Sequence, residues 1–388
     1  MAFAKNFLVL GKHRTLIVQA MLAIHAATDA VCVVICPKET RYLRLTNMCT
    51  RHWFAELDGS DDDRVVDIIN RCAESMPGLE LVPSDCPSAR LANRLRARLH
   101  AHVARIPDDA MLDLFDNKWR FHQFCKERGL NVPATKLVAS KEDLDFASTA
   151  QEIGLPFIVK PLDQHGSAGV CVISSEQGYR ERILDDEAYR FSPLLVQRYI
   201  RGIDIGLNLL SIGGKVQAIA VQRRDYPQNE EARIRFLPNE YLRNAAFVIC
   251  ADSCYDGVMN VDARIEERTG LAYLFEVNPR FWVSLSASVW CGLNFVAENL
   301  EREQQSDDVR LLEAGTADTF YHPLFRPALW PYVLFHTGRR GRMARLMARD
   351  MCTLGSQLRT FWIKGFDRVL PPGVSLPVSS VWENRQHS

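Results

Sequence analysis

The chain has 388 residues, enough for two or three domains with a sizeable core. Hydrophobic residues make up 47% and charged residues 24%, which excludes a disordered or collagen-like chain. Lys plus Arg and Asp plus Glu both number 47, so the chain does not work by bulk attraction to nucleic acid or anionic lipid.

No apolar run reaches the length of a bilayer span, so no integral membrane association is expected. Lys5, Lys12, His13 and Arg14 interrupt the N-terminal segment, which lacks the apolar core of a secretory signal. The 11 cysteines are scattered, and the close pairs Cys32/Cys36 and Cys250/Cys254 lack zinc-knuckle spacing. Buried, reduced thiols in a cytoplasmic protein are the expectation.

In chain order, Asn6 to Leu10 (NFLVL) reads as a buried strand ending at Gly11. A helical stretch follows to about Ala27, then a second apolar strand from Ala30 to Ile35. Strand, helix, strand at this spacing predicts a parallel α/β unit. Gly11 stands where open α/β sheets place ligands, although a simple turn glycine is the better reading of this residue taken alone. Asp61 to Arg64 is an acidic loop or helix start. Asp116 is placed to cap a helix through Arg128, with Phe121, Phe124 and Cys125 on one face and Gly129 as its stop. Short strands are expected at Pro156–Val159, Gly169–Ser174, Leu194–Ile200 and Val216–Val221, giving this half an α+β character. From Glu301 the chain turns polar, then Pro-rich, then basic (Arg339, Arg340, Arg342, Arg345, Arg349), without internal repeats. A solvated helix face is the better reading of that basic stretch.

The segment Asp256 to Arg280 (DGVMNVDARIEERTGLAYLFEVNPR) holds two strand-like runs around a polar turn. A hairpin centred near Thr269 sets Asp262 opposite Glu276, and alternation puts Glu276 and Asn278 on one face. Two carboxylates and an amide form an oxygen-only set, wrong for zinc and suited to magnesium. Arg280 then adds a guanidinium fork suited to phosphate. A surface hairpin with polar residues in water fits the segment equally. In PFIVKPLDQHGSAGV, a strand delivers Lys160, and a loop of Gln164, His165, Gly166, Ser167, Ala168 and Gly169 follows. Such a loop can bring backbone N–H groups and the Ser167 hydroxyl to anionic oxygens, and it is also a common hairpin turn.

Taken together, these segments resemble the ATP-grasp superfamily over roughly residues 111 to 300. DNKWRFHQFCKERGLNVPAT looks like its entry helix, with Lys118 at the first nucleotide-contacting lysine, and GLPFIVKP like the strand bearing the second, Lys160. QHGSAGV resembles the mobile phosphate loop, with Gly166, Ser167 and Gly169 as contacts. LLVQRYIRGIDIGLNLL resembles the hinge that receives adenine through Gln197, Arg198, Tyr199 and Ile200, and Asp204 takes the place of an acidic residue at the ribose. Asp262, Glu276 and Asn278 stand in the family's metal positions, and Arg280 in a phosphate position. The continuation NPRFWVSLSASVWCGLNF resembles the branch called predicted carboxylate-amine ligases. Arg198 departs from the family, which often has an acid there, and His165 is unusual in the loop. Arg223 and Arg224 lie where the family often has a cation reaching the phosphates, without the sequence saying which one points inward.

The resemblance implies an architecture of α/β and α+β parts. A Rossmann-like pre-ATP-grasp domain spans residues 1–110, a small lobe with the glycine loop 111–193, a large lobe with the metal site 194–300, and a C-terminal extension 301–388. It implies ATP and Mg2+, with Mn2+ compatible, and a ligase that activates a carboxylate as an acyl phosphate for attack by an amine. Lys160 and Arg280 would supply positive charge to the transferring group. A small-molecule kinase and a non-catalytic nucleotide-binding module remain open alternatives. Arg233, Arg235, Trp282 and Ser284 are candidate linings of an acceptor pocket, with surface or core roles equally open. The sequence names neither the carboxylate nor the amine, and a dimer is compatible with it.

Overall fold

The computed structural model describes residues 6–162, 169–225, 233–301, 305–317 and 322–367, with the side chains of 360–367 excepted. The chain divides into two compact units. One draws on residues up to Asp113, Ile205–Val261 and Asn278–Lys364; the other draws on Leu114–Asp204 and Asp262–Val277.

In the first unit, β1 (Asn6–Leu10), β2 (Val31–Cys36), β3 (Arg51–Phe54), β4 (Leu79–Pro83) and β5 (His102–Val103) form a parallel sheet of order β3-β2-β1-β4-β5. The central β1 pairs Leu8 with Val33 on one side and Leu81 on the other. Phe7, Leu8, Val9 and Leu10 are all fully buried. A strand covered on both faces needs a continuous apolar run rather than alternation, and NFLVL supplies one. The helix Arg14–Ala27 packs Ile17, Met21 and Ile24 into the core on one face, and Val65, Ile69 and Leu91 fill the other. Asp61 caps nothing through its side chain, but the acidic run does open a helix, Asp62–Ser75.

Gly11 has a packing role. A Cβ there would lie 2.1 Å from Ser84 Oγ and 2.7 Å from Ile17 Cγ1, so the ends of β1 and β4 meet only over a glycine. Just beyond, the buried Asp85 carboxylate accepts from the N–H groups of Lys12, His13 and Ser88, tying the turn after β1 to the start of helix Cys86–Leu95.

In the second unit, β6 (Thr135–Val138), β7 (Phe157–Pro161), β8 (Cys171–Ile173) and β9 (Leu194–Arg198) make an antiparallel sheet of order β6-β9-β7-β8. Phe157, Val159, Ile173, Leu194 and Val196 form its core. The helix at the head of this unit runs Lys118–Glu127. Its cap is Asn117, not Asp116, because the Asn117 side chain accepts from the N–H groups of Trp119 and Arg120. Gly129, at φ +67°, ends the turn as its position implied.

The third sheet contains β10 (Gly202–Ile212), β11 (Lys215–Asp225), β12 (Arg233–Phe236), β13 (Gly257–Glu266), β14 (Ala272–Asn278), β15 (Arg310–Leu312) and β16 (Gly315–Ala317). Its order is β14-β13-β10-β11-β12-β16, with β15 alongside β11 in parallel. The basic C-terminal stretch is the helix Arg339–Arg349. Met343, Ala344 and Met347 are buried in the first unit's core, and Arg339, Arg340 and Arg349 face solvent. Among the described residues no helix is long and apolar enough to cross a membrane.

The Gly11 contact gives a stability prediction. Gly11→Ala is expected to lower unfolding free energy by about 1–3 kcal/mol, the usual cost of forcing an atom into a filled core. A urea melt measures this, and an unchanged midpoint would show that the Ser84 side chain yields without cost.

Candidate nucleotide and metal site

The second unit holds a buried cation. Lys160, on β7, is 8% exposed, and its Nζ donates to Gln197 Oε1 on β9 at 3.1 Å. Gln197, 2% exposed, is oriented in turn by donating Nε2 to Thr135 Oγ1 at 2.9 Å. Burial pushes the Lys160 pKa down; Glu276 and Asp262 pull it up, and Lys118 opposes them. Both hairpin carboxylates therefore act on the same ammonium. Lys118, the first residue of its helix, is also buried and donates to the Leu162 carbonyl at 3.1 Å.

Sequence reasoning passed over His122, one helical turn beyond Lys118. It is 6% exposed and stacks on Trp119 at 5.5 Å. Burial, with repulsion from Lys126 and Lys160, pushes its pKa down to about 4, so the imidazole is neutral at pH 7. The i, i+4 spacing to Lys118 was the available signal.

The hinge is largely occupied by the unit's own bonds. The N–H groups of Arg198 and Tyr199 donate to Ala134 and Pro156 carbonyls at 2.8 and 3.2 Å. The Ile200 carbonyl accepts from Arg264 Nη1 at 3.0 Å, and Arg264 Nε donates to Asp204 Oδ1 at 2.6 Å. Arg198, where the family often has an acid, pairs with Glu266 at 3.3 Å and lies 5.1 Å over the Tyr273 ring. Its charge is thus matched at the turn end of the hairpin.

Gly169, at φ +70°, anchors the end of the glycine loop. Its carbonyl accepts from Tyr189 Oη at 2.7 Å, and a Cβ would lie 2.6 Å from Phe191. His165, Gly166 and Ser167 lie outside the described residues.

The β13–β14 hairpin closes where the Glu266 N–H donates to the Leu271 carbonyl at 2.8 Å. Farther along, Asn278 Nδ2 donates to Asn260 Oδ1 at 3.2 Å. Strict alternation counted back from the turn link would set Asp262 opposite Phe275 and not opposite Glu276.

In the first unit, Asn278 Oδ1 accepts from Arg280 Nη2 at 2.8 Å, and Asn260 Nδ2 donates to Asn208 Oδ1 on β10 at 3.0 Å. The strand register also separates the two arginines of β11. Arg224 pairs with Ile234, and Gln222 with Gly206, so Arg224 shares the face that carries Asn208 and Asn260. Arg223 points to the opposite face, where it and Arg235 both clamp Asp225, at 2.6 and 2.7 Å. Arg233 and Arg235 lie on that opposite face too, and Trp282 is core, edge-on to Phe295 at 5.0 Å. Ser284 is buried beneath Gln222, whose Nε2 donates to it at 2.6 Å. These four residues do not line one pocket.

Among the described residues no group of three or more His, Cys, Asp or Glu side chains is placed to hold a metal.

With this geometry in view, known proteins place the segment. A family model described as an ATP-grasp domain matches residues 115–284. The chain is 27% identical to the carbamoyl phosphate synthase arginine-specific large chain of Bacillus subtilis, over 44% of this chain and 17% of the relative. It is 28% identical to D-alanine--D-alanine ligase of Coprothermobacter proteolyticus, over 34% of this chain and 48% of the relative. The chain thus spans less than half the length of either curated relative. In fold it is similar to the biotin carboxylase domain of Hydrogenobacter thermophilus 2-oxoglutarate carboxylase, crystallised with MgADP and bicarbonate. That match has a TM-score of 0.59 at 16% identity and covers 80% of this chain and 72% of that one.

A pH prediction follows from Lys160. Its folded pKa is depressed, so below the ordinary lysine value of 10.5 the unfolded chain binds the extra proton. Stability from this group therefore rises as pH climbs from the depressed value toward 10.5. Lys160→Met should flatten that rise in thermal melts taken across alkaline pH. A variant with the same slope as the parent chain would show that the ammonium is not strained by burial.

Proposed function

We propose that the chain is an ATP-dependent ligase that activates a carboxylate as an acyl phosphate and joins it to an amine, releasing ADP and phosphate. The observation that carries this reading is the buried Lys160 ammonium, held by Gln197 and acted on by Glu276 and Asp262. A buried cation among carboxylates and amides suits a polyanion such as a triphosphate.

Lys118, Lys160 and the Gly166–Ser167–Gly169 loop would bind the phosphates, and the hinge from Gln197 to Ile200 the base, with Asp204 at the ribose. Because the Arg198 and Tyr199 N–H groups are already bonded, a base edge there would use the remaining backbone groups. Asp262, Glu276 and Asn278 would hold Mg2+, and Mn2+ fits the same oxygen donors. The bound ion would neutralise phosphate oxygens during transfer.

The substrate carboxylate attacks the γ-phosphorus and ADP departs. The amine then attacks the acyl carbon, and phosphate leaves with a proton from the nitrogen. Lys160 and Arg280 oppose the negative charge gathered when two anions meet. Loop closure would keep water from the acyl phosphate. Eleven free thiols fit a cytoplasmic setting. The functional division proposed for the chain is 1–110, 111–193, 194–300 and 301–388; these stretches are not separate folding units, because one compact unit draws on residues up to Asp113, Ile205–Val261 and Asn278–Lys364.

The test is an ADP-release screen of acids crossed with amines, with mass spectrometry of products. Glu276→Gln and Asn278→Ala are each expected to lower magnesium-dependent ADP formation by about 100-fold or more, the scale of deleting a group that meets transition-state charge. Near-normal turnover in either variant would remove the metal assignment. A phosphorylated product without released phosphate would make the protein a kinase.

A further inference from the structure

We propose that the C-terminal part of the first unit is a docking surface for a bilayer that carries anionic lipids. The inference is independent of the nucleotide and metal assignments.

Positive and negative charges balance over the whole chain but not over residues 322–359. That stretch has seven arginines, no lysine and a single acid, Asp350. Asp350 is buried and serves the fold, its carboxylate accepting from the Thr353 N–H at 2.9 Å. On the helix Arg339–Arg349, Arg339, Arg342, Arg345 and Arg349 recur every three or four residues, which sets them in one row. Met343, Ala344 and Met347, on the other side, hold the helix to the core. Among the described residues the row is bonded to one carboxylate, that of the exposed Asp29, 3.2 Å from Arg342. One carboxylate against four guanidinium groups leaves the row positive.

A charged row alone would be a solvated helix face. An apolar tip beside it changes that reading. The helix Trp330–Phe335 ends in Leu334 and Phe335, which are 62% and 79% exposed. Trp330, one turn before Leu334 on the same face, is exposed as well. The tip is held in place by the row itself, because Arg345 Nη1 donates to the His336 carbonyl at 2.7 Å, one residue after Phe335. His336 also stacks on Tyr332 at 4.5 Å, and Tyr332 packs edge-on against the buried Trp290 at 4.8 Å. Two large apolar side chains are thus fixed in water next to a row of guanidinium groups.

The two chemistries together select the partner. An anionic headgroup layer matches the arginines, and the acyl boundary beneath it takes Leu334 and Phe335 out of water. Arginine suits that depth, because its stem lies along apolar surface while its head stays among the headgroups. A nucleic acid backbone would use the charge and leave the aliphatic Leu334 in water. A symmetric pair of copies would cover the tip but bring two arginine rows together.

The experiment is co-sedimentation of the full chain with vesicles of three parts phosphatidylcholine to one part phosphatidylglycerol. Pure phosphatidylcholine vesicles are the control, and thermal melts run in parallel. Binding to the anionic vesicles is expected, falling with added salt and about tenfold or more weaker on the neutral ones. Arg339→Gln/Arg349→Gln removes two exposed arginines of the row and should weaken binding about 10–30-fold, at roughly fivefold for each charge. Leu334→Ser/Phe335→Ser should weaken it about tenfold or more without lowering the melting temperature, because both side chains already stand in water. Phe335→Ser alone carries the test if the double variant does not fold. No binding to the anionic vesicles, equal binding to the neutral ones, or parent-like binding in either double variant overturns the proposal. If the anionic vesicles fail and sedimentation velocity shows a dimer that Leu334→Ser/Phe335→Ser dissociates, the tip is an interface between copies of the chain instead.

Discussion

A lysine ammonium shut away from water must be matched by negative charge or lose its proton, and Lys160 is in that position. Burial disfavours its charged form more than any other influence, and the two groups that oppose burial are Glu276 and Asp262. The Gln197 carbonyl oxygen completes its surroundings, itself fixed by Thr135. This one cation links β6, β7 and β9 with the carboxylates of the β13–β14 hairpin.

The hairpin answers with an unusual density of oxygen donors. Carboxylates stand at Asp262 and Glu276, and amides at Asn260 and Asn278. Its far end is pinned by Arg198 on Glu266 and by the Asn131 carbonyl, which receives the Leu274 N–H at 2.9 Å. Within this set the Asn278 oxygen accepts from Arg280, and its nitrogen donates to Asn260.

The parallel sheet contributes stability and little visible chemistry. Gly11, although at the carboxyl end of the central strand, is explained by the approach of Ser84 and Ile17. The C-terminal basic helix joins the same core through Met343 and Met347. Its arginines are in part structural: Arg340 donates to the Trp290 carbonyl at 2.9 Å.

Local patterning made much of this legible. The apolar run NFLVL could only be a strand buried on both faces, and the Glu276–Asn278 spacing had to place both on one side of a strand. Lys160 was readable because a strand followed by a glycine loop is a local signal. Contacts between distant segments were not readable. Whether Asn117 or Asp116 caps its helix depends on one residue of backbone geometry. Which of Arg223 and Arg224 turns toward the asparagines depends on pairing with β10 and β12. The partnership of Arg198 with Glu266, and of Asn208 with Asn260, joins residues 68 and 52 positions apart. Side-chain chemistry and its periodicity belong to the sequence alone, because each depends on a few neighbouring residues. Register, burial and the direction of a hydrogen-bond chain were decided by the tertiary structure, because they arise only when separate strands are brought side by side.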